Sequence, residues 1–128
     1  HINGIDVDEE TIPLFEYVIK KLNDYNLAYV HLSEPFTDVS KVQYAVQNIA
    51  AHFRPLYNGT LIVNNNFNQE TGNKVIEAGL ADLVAYGKLF ISNPDLVERF
   101  RQDAPLNEAD SKSFYGGTEK GYTDYPSL

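Results

Sequence analysis

Apolar and polar positions along this chain switch between two periods. From Thr11 to Asn23, residues Leu14, Phe15, Val18, Ile19 and Leu22 recur at three- and four-residue spacing. That predicts an amphipathic helix, with Pro13 tolerated in its first turn. "LAYVHL", Leu27 to Leu32, is a compact strand candidate. Val42, Ala45, Val46, Ile49, Ala50 and Phe53 return to helical spacing, with Ser40 as the expected N-cap and Pro55 as the stop. "TLIVN", Thr60 to Asn64, is apolar and β-branched, as a buried parallel strand should be. A helix is expected from Gln69 to Ala78, capped by Asn68 and ended by Gly79. "DLVAY", Asp82 to Tyr86, gives a third strand. Asn93 is the expected cap of a last helix, with Pro94 in its first turn and Asp95 favouring its positive end.

Strands that each lead into a helix read as successive βα units and predict an α/β fold. The helix-first order implies a further strand upstream. Beyond position 103 the pattern stops. Residues 104–128 carry Tyr115, Tyr122 and Tyr125 among glycines and prolines with no period. The expected division is therefore 1–103 for the βα units and 104–128 for a tail.

Composition narrows the function classes. The 128 residues suit one domain, and 43% hydrophobic content suffices for a packed core. Eighteen acidic residues against ten basic ones give a net charge of −8, which argues against nucleic acid or an anionic membrane surface as the main partner. No apolar run approaches the roughly 18 residues of a membrane span, and no signal peptide opens the chain. Absence of cysteine excludes disulfides and thiol chemistry and fits the cytoplasm. His1, His31 and His52 are too scattered to predict a metal site. Because methionine is also absent, the chain is expected to be processed, tagged or cut from something larger.

Two strand exits carry the candidate chemistry. "VNNNFN" (Val63 to Asn68) and "AYGKLF" (Ala85 to Phe90) place small or left-handed-tolerant residues where the chain leaves the sheet. Such turns can aim backbone N–H groups outward. With the ammonium of Lys88 and a nearby helix start they predict a phosphate cradle. The plainer reading is that Gly87 only turns the chain and Lys88 is solvated. His31 reads as a satisfied structural histidine. Glu34, in "SEP" at the first strand's exit, is open to a role at that end of the sheet or to helix capping. The acidic cluster Asp6, Asp8, Glu9 and Glu10 suits the N-terminal dipole of the first helix.

The stretches "YGKLFISNPDLVERF", "APLN" and "SFYGGTEKGYTDYP" resemble the C-terminal part of the old yellow enzyme family, FMN-dependent ene-reductases, near its N-ethylmaleimide reductase and 12-oxophytodienoate reductase branches. The resemblance runs from "NGIDVDEET" through nearly the whole chain. It implies the C-terminal part of a TIM (β/α)8 barrel, about three parallel βα units (strands 6–8) plus the tail. A complete barrel takes about 250 residues.

The resemblance also implies site residues. Backbone groups of Asn65 and Asn66 would hold the FMN phosphate, with Phe67 the aromatic that follows. Gly87-Lys88 would grip the same phosphate, and Tyr115 would lie near the flavin and the substrate opening. Lys88 replaces the family's usual arginine, so a bidentate fork becomes a point charge. Asn65 stands where many members have glycine. No catalytic residue is carried over, because the family's substrate-anchoring pair and proton-donating tyrosine belong to earlier strands. The implied parent reaction uses NAD(P)H to reduce FMN and passes a hydride to an electron-poor alkene. This chain alone is expected not to turn over. Its expected partner is the missing N-terminal half-barrel or a second copy. The alternative is a non-catalytic phosphate-binding half-barrel that self-associates through its open sheet edges.

Overall fold

A computed structural model describes residues 6–115 and 117–128. Residues 1–5, which hold His1 and the "NGI" that opens the resemblance, and Gly116 lie outside them. The chain falls into two compact units, His1–Ala85 and Tyr86–Leu128.

The first unit is built on three parallel strands in the order β1-β2-β3: β1 (Val30–Ser33), β2 (Leu61–Asn64) and β3 (Leu83–Ala85). Val30 pairs with Leu61 and Ser33 with Asn64, while Ile62 pairs with Leu83 and Asn64 with Ala85. The central strand is the most apolar and the most buried. Leu61 and Val63 are fully covered. Each anchors one core cluster. Leu61 packs with Ile19, Val30, Phe53 and Tyr57, and Val63 packs with Ala50, Val75 and Ala81.

Helix α1 (Thr11–Leu22) forms where its spacing predicts, and Lys20 and Lys21 complement its negative end. Its burial is narrower than its stripe. Ile19 is buried, with Ile12 and Leu22 packed beside it, but Leu14, Phe15 and Val18 remain exposed. The apolar face is thus wider than the surface these described residues offer it.

The predicted helix over Val42 to Phe53 is corrected to α2 (Ile49–Phe53), a short helix running into a 3-10 turn at Arg54–Leu56. Ser40 does not cap it: the backbone N–H of Ser40 donates to the Asp38 carboxylate in a local turn. Tyr44 takes a left-handed φ of 65°, which ends any helix through it. Asn48 is the N-cap, its Oδ1 accepting from the Ala51 N–H at 2.8 Å.

Helix α3 (Gln69–Glu77) matches its sequence signals closely. The Asn68 Oδ1 accepts from the Thr71 N–H, and the Asn68 N–H donates to the Thr71 Oγ1, a reciprocal capping box. Gly79, at φ 68°, ends the helix in the left-handed conformation that glycine adopts without strain. Changing Asn68 to Ala should cost about 1 kcal/mol through loss of the cap. A lowered urea midpoint with unchanged slope would register it.

The second unit begins with α4 (Lys88–Ser92) and α5 (Leu96–Gln102). Asn93 was expected to cap the latter, and it does not. It is fully buried, and its carboxamide donates to the Leu89 carbonyl and the Ser92 Oγ. Its Oδ1 accepts from the Asn107 N–H at 2.7 Å. Asp95 takes the N-cap position instead. Among the described residues no helix is long and apolar enough to cross a membrane.

Candidate functional site

The site residues divide between the two units, so each group stands on its own geometry. In the first unit, the C-terminal ends of β1 and β2 are laced together. The Glu34 N–H donates to the Asn64 carbonyl at 3.1 Å, extending the ladder one residue past β1. The Glu34 carboxylate then accepts from the Ile49 and Ala50 N–H groups, both at 2.8 Å. It occupies the first turn of α2, so the capping reading of Glu34 holds.

Asn65 and Asn66 follow β2 with φ of 84° and 60°. Two consecutive left-handed residues without glycine are uncommon, and asparagine is among the few side chains that tolerate the conformation. Their side chains help to hold it. Asn65 Nδ2 donates to the Glu34 carbonyl at 2.8 Å, and Asn66 Nδ2 approaches the Pro35 carbonyl at 3.4 Å. Phe67 turns inward and packs on the cluster around Val63 and Val75. A cleft of about 510 Å³ opens beside this turn, lined among others by Pro35, Asn48, Asn65, Phe67 and Lys74. Two of its polar walls are already engaged: Lys74 Nζ is on the Glu70 carboxylate at 2.6 Å, and Asn48 caps α2.

His31 lies exposed on β1, and its imidazole has no hydrogen-bond partner among the described residues. The satisfied structural histidine expected from the sequence is therefore corrected. Alternation along a four-residue strand puts Val30 and Leu32 toward the helices and His31 on the open face.

In the second unit, Gly87 sits at the N-cap position of α4 with φ of −89°. That corrects the expectation of a left-handed turn, since any residue could adopt this backbone. A Cβ built at Gly87 would meet nothing within 4 Å. The chain itself gives no steric reason for glycine here. Lys88 opens α4, is exposed, and has no ion pair among the described residues.

The tail belongs to this unit and is pinned. Arg99 is 4% exposed. Its Nε donates to Asp95 Oδ1 at 2.8 Å, and its terminal nitrogens donate to the carbonyls of Pro105 and Pro126. Asn107 Nδ2 reaches the carbonyls of Ser92 and Pro126, both at 2.8 Å. The Leu128 N–H donates to Asp95 Oδ2. The Arg99 hydrogen bond, reinforced by the Leu128 N–H, holds the Asp95 carboxyl below the ordinary aspartate range. Between the pinned ends, Ser113 Oγ donates to the Gly121 carbonyl and the Asp110 N–H donates to the Tyr125 hydroxyl. Phe114 is buried there, while its neighbour Tyr115 is 90% exposed. Sequence reasoning missed Arg99 and Asn107 and gave Asn93 a different role. The Asp95–Arg99 spacing of four was the legible signal for the first of them.

Parallel strands, each leading into a helix, define the chain as part of a (β/α)8 barrel. Its sequence matches the model of the NADH:flavin oxidoreductase / NADH oxidase family over residues 2–107, and the chain belongs to that family. It is 42% identical over 123 residues to 12-oxophytodienoate reductase 1 of Oryza sativa subsp. japonica, covering 94% of this chain and 32% of that protein. In structure it is similar to the old yellow enzyme from Trypanosoma cruzi, with a TM-score of 0.82 and 35% identity over 95% of this chain and 31% of that one. Morphinone reductase gives a TM-score of 0.83 at 38% identity, over 95% of this chain and 32% of that one. The chain spans about a third of the length of the curated relatives it matches.

Proposed function

We propose that this chain is the cofactor-phosphate-holding part of an FMN-dependent NAD(P)H oxidoreductase that reduces electron-poor alkenes, corresponding to strands 6–8 and the tail of the barrel. Bound FMN would supply the hydride chemistry, accepting a hydride from NAD(P)H and delivering it to the alkene. The chain's own part is to bind and orient. Backbone N–H groups at Asn65 and Asn66 and at Gly87 would face the phosphate oxygens, and the Lys88 ammonium would balance their charge. Tyr115 would stand at the substrate side.

The observation that carries this reading is the pair of left-handed asparagines at the exit of the central strand. Such successive turns form the concave N–H arrays that bind anions. Glycine at position 87, with open space where a Cβ would be, leaves room for an oxyanion against the backbone. Lys88, at the start of a short helix just after a barrel strand, fits the usual place of a barrel phosphate site. Absence of cysteine fits a reducing cytoplasmic setting.

Titration of the chain with FMN, followed by the visible spectrum, tests the reading. Lys88→Glu should weaken FMN binding by about 1–3 kcal/mol, roughly 5- to 150-fold. An unchanged affinity would remove Lys88 from the site. No residue of this chain is assigned as proton donor or substrate clamp, so FMN binding without turnover of NADPH and an enone is expected. Turnover by the chain alone would contradict that assignment.

A second reading, self-association, is favoured by the exposed side chains of Leu14, Phe15, Tyr17 and Val18 on one helix. A remaining half-barrel would cover the same surface. Mass in solution separates the two: a monomer at micromolar concentration excludes self-association there.

A further inference from the structure

The β-sheet of the first unit has one face packed under helices and one open face, and strand alternation decides what the open face carries. Leu61 and Val63 are fully buried in the two core clusters. Ile62 and Asn64 therefore project from the other side of β2. Register extends this into two rows. His31, Ile62 and Leu83 lie side by side, and one step toward the strand exits come Ser33, Asn64 and Ala85.

The first row is apolar at two of its three positions. The second is small and polar, with a carboxamide at its centre. Asparagine is a poor strand former, and it stands here at the last position of the central strand, where the chain begins to turn. Asn64 is half-buried, and its backbone carbonyl already accepts from the Glu34 N–H. Its side chain has no hydrogen-bond partner among the described residues. Beside it the Ser33 hydroxyl has only a long 3.3 Å contact to the Glu34 carbonyl. On the other flank Ala85 is short and leaves space above β3. No side-chain nitrogen or oxygen among the described residues is buried without a partner, so both groups stay open to solvent and to a ligand. Here two donor groups and two acceptors point to the same open face, with their partner still to come.

We propose that Asn64, assisted by Ser33, is a positioning shelf for the polyol chain of the flavin nucleotide. This rests on the proposed phosphate seat, since Asn64 immediately precedes Asn65 and consecutive Cα atoms lie about 3.8 Å apart. The part of FMN next to its phosphate is the ribityl chain, a run of secondary hydroxyls. A carboxamide and a hydroxyl on adjacent strands match it, each able to donate and accept. The shelf fixes how far the cofactor reaches over the sheet, while the phosphate turn fixes where it starts.

Three flavins separate the contributions. FMN has ring, polyol and phosphate; riboflavin lacks the phosphate; lumiflavin lacks both phosphate and polyol. Equilibrium dialysis of the 128-residue chain is expected to show Asn64→Ala weakening FMN and riboflavin each three- to tenfold, with lumiflavin unchanged. Ser33→Ala should act in the same direction and less. Asn64→Ser, which keeps a hydroxyl, should recover part of the loss and guards against a folding defect in the alanine variant. Lys88→Glu should weaken FMN and leave riboflavin alone. If Asn64→Ala leaves riboflavin binding unchanged while Lys88→Glu still weakens FMN, the shelf is wrong and the phosphate seat stands. If Lys88→Glu leaves FMN unaffected while Asn64→Ala weakens riboflavin, the seat is wrong and the polyol contact stands. Equal loss of all three flavins in both Asn64 variants, or no riboflavin binding by the parent chain, overturns the shelf.

Discussion

Replacement of Arg99 by methionine is expected to cost about 3 kcal/mol of stability, since two backbone carbonyls would each lose a charge-assisted hydrogen bond worth about 1.5–3 kcal/mol, less what water restores. Methionine keeps much of the aliphatic volume but none of the five donors. The Pro105 and Pro126 carbonyls and the Asp95 carboxylate would all lose their shared guanidinium. Burial leaves little water to take its place, because Arg99 is among the few charged residues the fold covers. Chemical denaturation would measure the loss, and hydrogen exchange would locate it in residues 105–128. A loss under 1 kcal/mol would mean that the tail is held by the hydrogen bonds of Asn107 and Ser113 instead.

Acid gives the same interaction a second signature. The Asp95 carboxyl is held below its ordinary value by Arg99 and the Leu128 N–H. A group depressed in the folded state contributes stability above the unfolded pKa and loses it as pH falls through the folded value. The gap between the parent and Arg99→Met should therefore be full at neutral pH. It should narrow as pH drops below about 4, the ordinary aspartate range.

Glu34→Ala is the second large expected effect, about 3 kcal/mol. Two charge-assisted hydrogen bonds would be lost, each worth about 1.5–3 kcal/mol, less what water restores at a partly open position. The first-turn N–H groups of α2 would lose their acceptors, and α2 carries Ala50 and Phe53 into the two core clusters. Glutamine should recover roughly half of the loss. One of its atoms is still an oxygen, but the other presents N–H groups to an N–H. Thermal melts of the three proteins would rank parent, Gln and Ala in that order. A Gln variant as stable as the parent would show that charge at the helix start contributes nothing.

Sequence was a good guide where one local signal acted alone. Asn68, Thr71 and Gly79 marked the limits of α3 because capping and the left-handed stop are fixed by neighbouring residues. The "TLIVN" strand was legible because a central parallel strand is covered on its helix side and flanked at both edges. Around α2 the guide failed. Val42, Ala45 and Val46 keep helical spacing, but Asp38 and Tyr44 commit the backbone to turns. Asn48 marks the helix start locally, but Glu34, fifteen residues earlier in the chain, supplies the other acceptors of its first turn, and no window of helical length contains it. Asn93 failed similarly. Its local surroundings read as a cap, while its Oδ1 is claimed by Asn107, fourteen residues on.

At the candidate site, the left-handed asparagines were legible from residue type, because few side chains other than asparagine and glycine enter that conformation. The conformation of Gly87 was not. Glycine permits both signs of φ, so its presence predicts freedom and not direction. Asn64 was read as the last residue of a strand. Its free carboxamide emerges only once the register sets it beside Ser33 and Ala85.

The segment between Glu34 and Asn48 is gripped at both ends, by the carboxylate seated on Ile49 and Ala50 and by the cap onto Ala51. Those clamps make the intervening stretch an interchangeable cassette: its ends stay put whatever joins them, and added length costs only the slow logarithm of loop closure. Diversification, by breeding or by the bench, has its safest entry point past Pro35, because the asparagine turn is moored to the carbonyls of Glu34 and Pro35 and, among the described residues, to nothing later in the cassette.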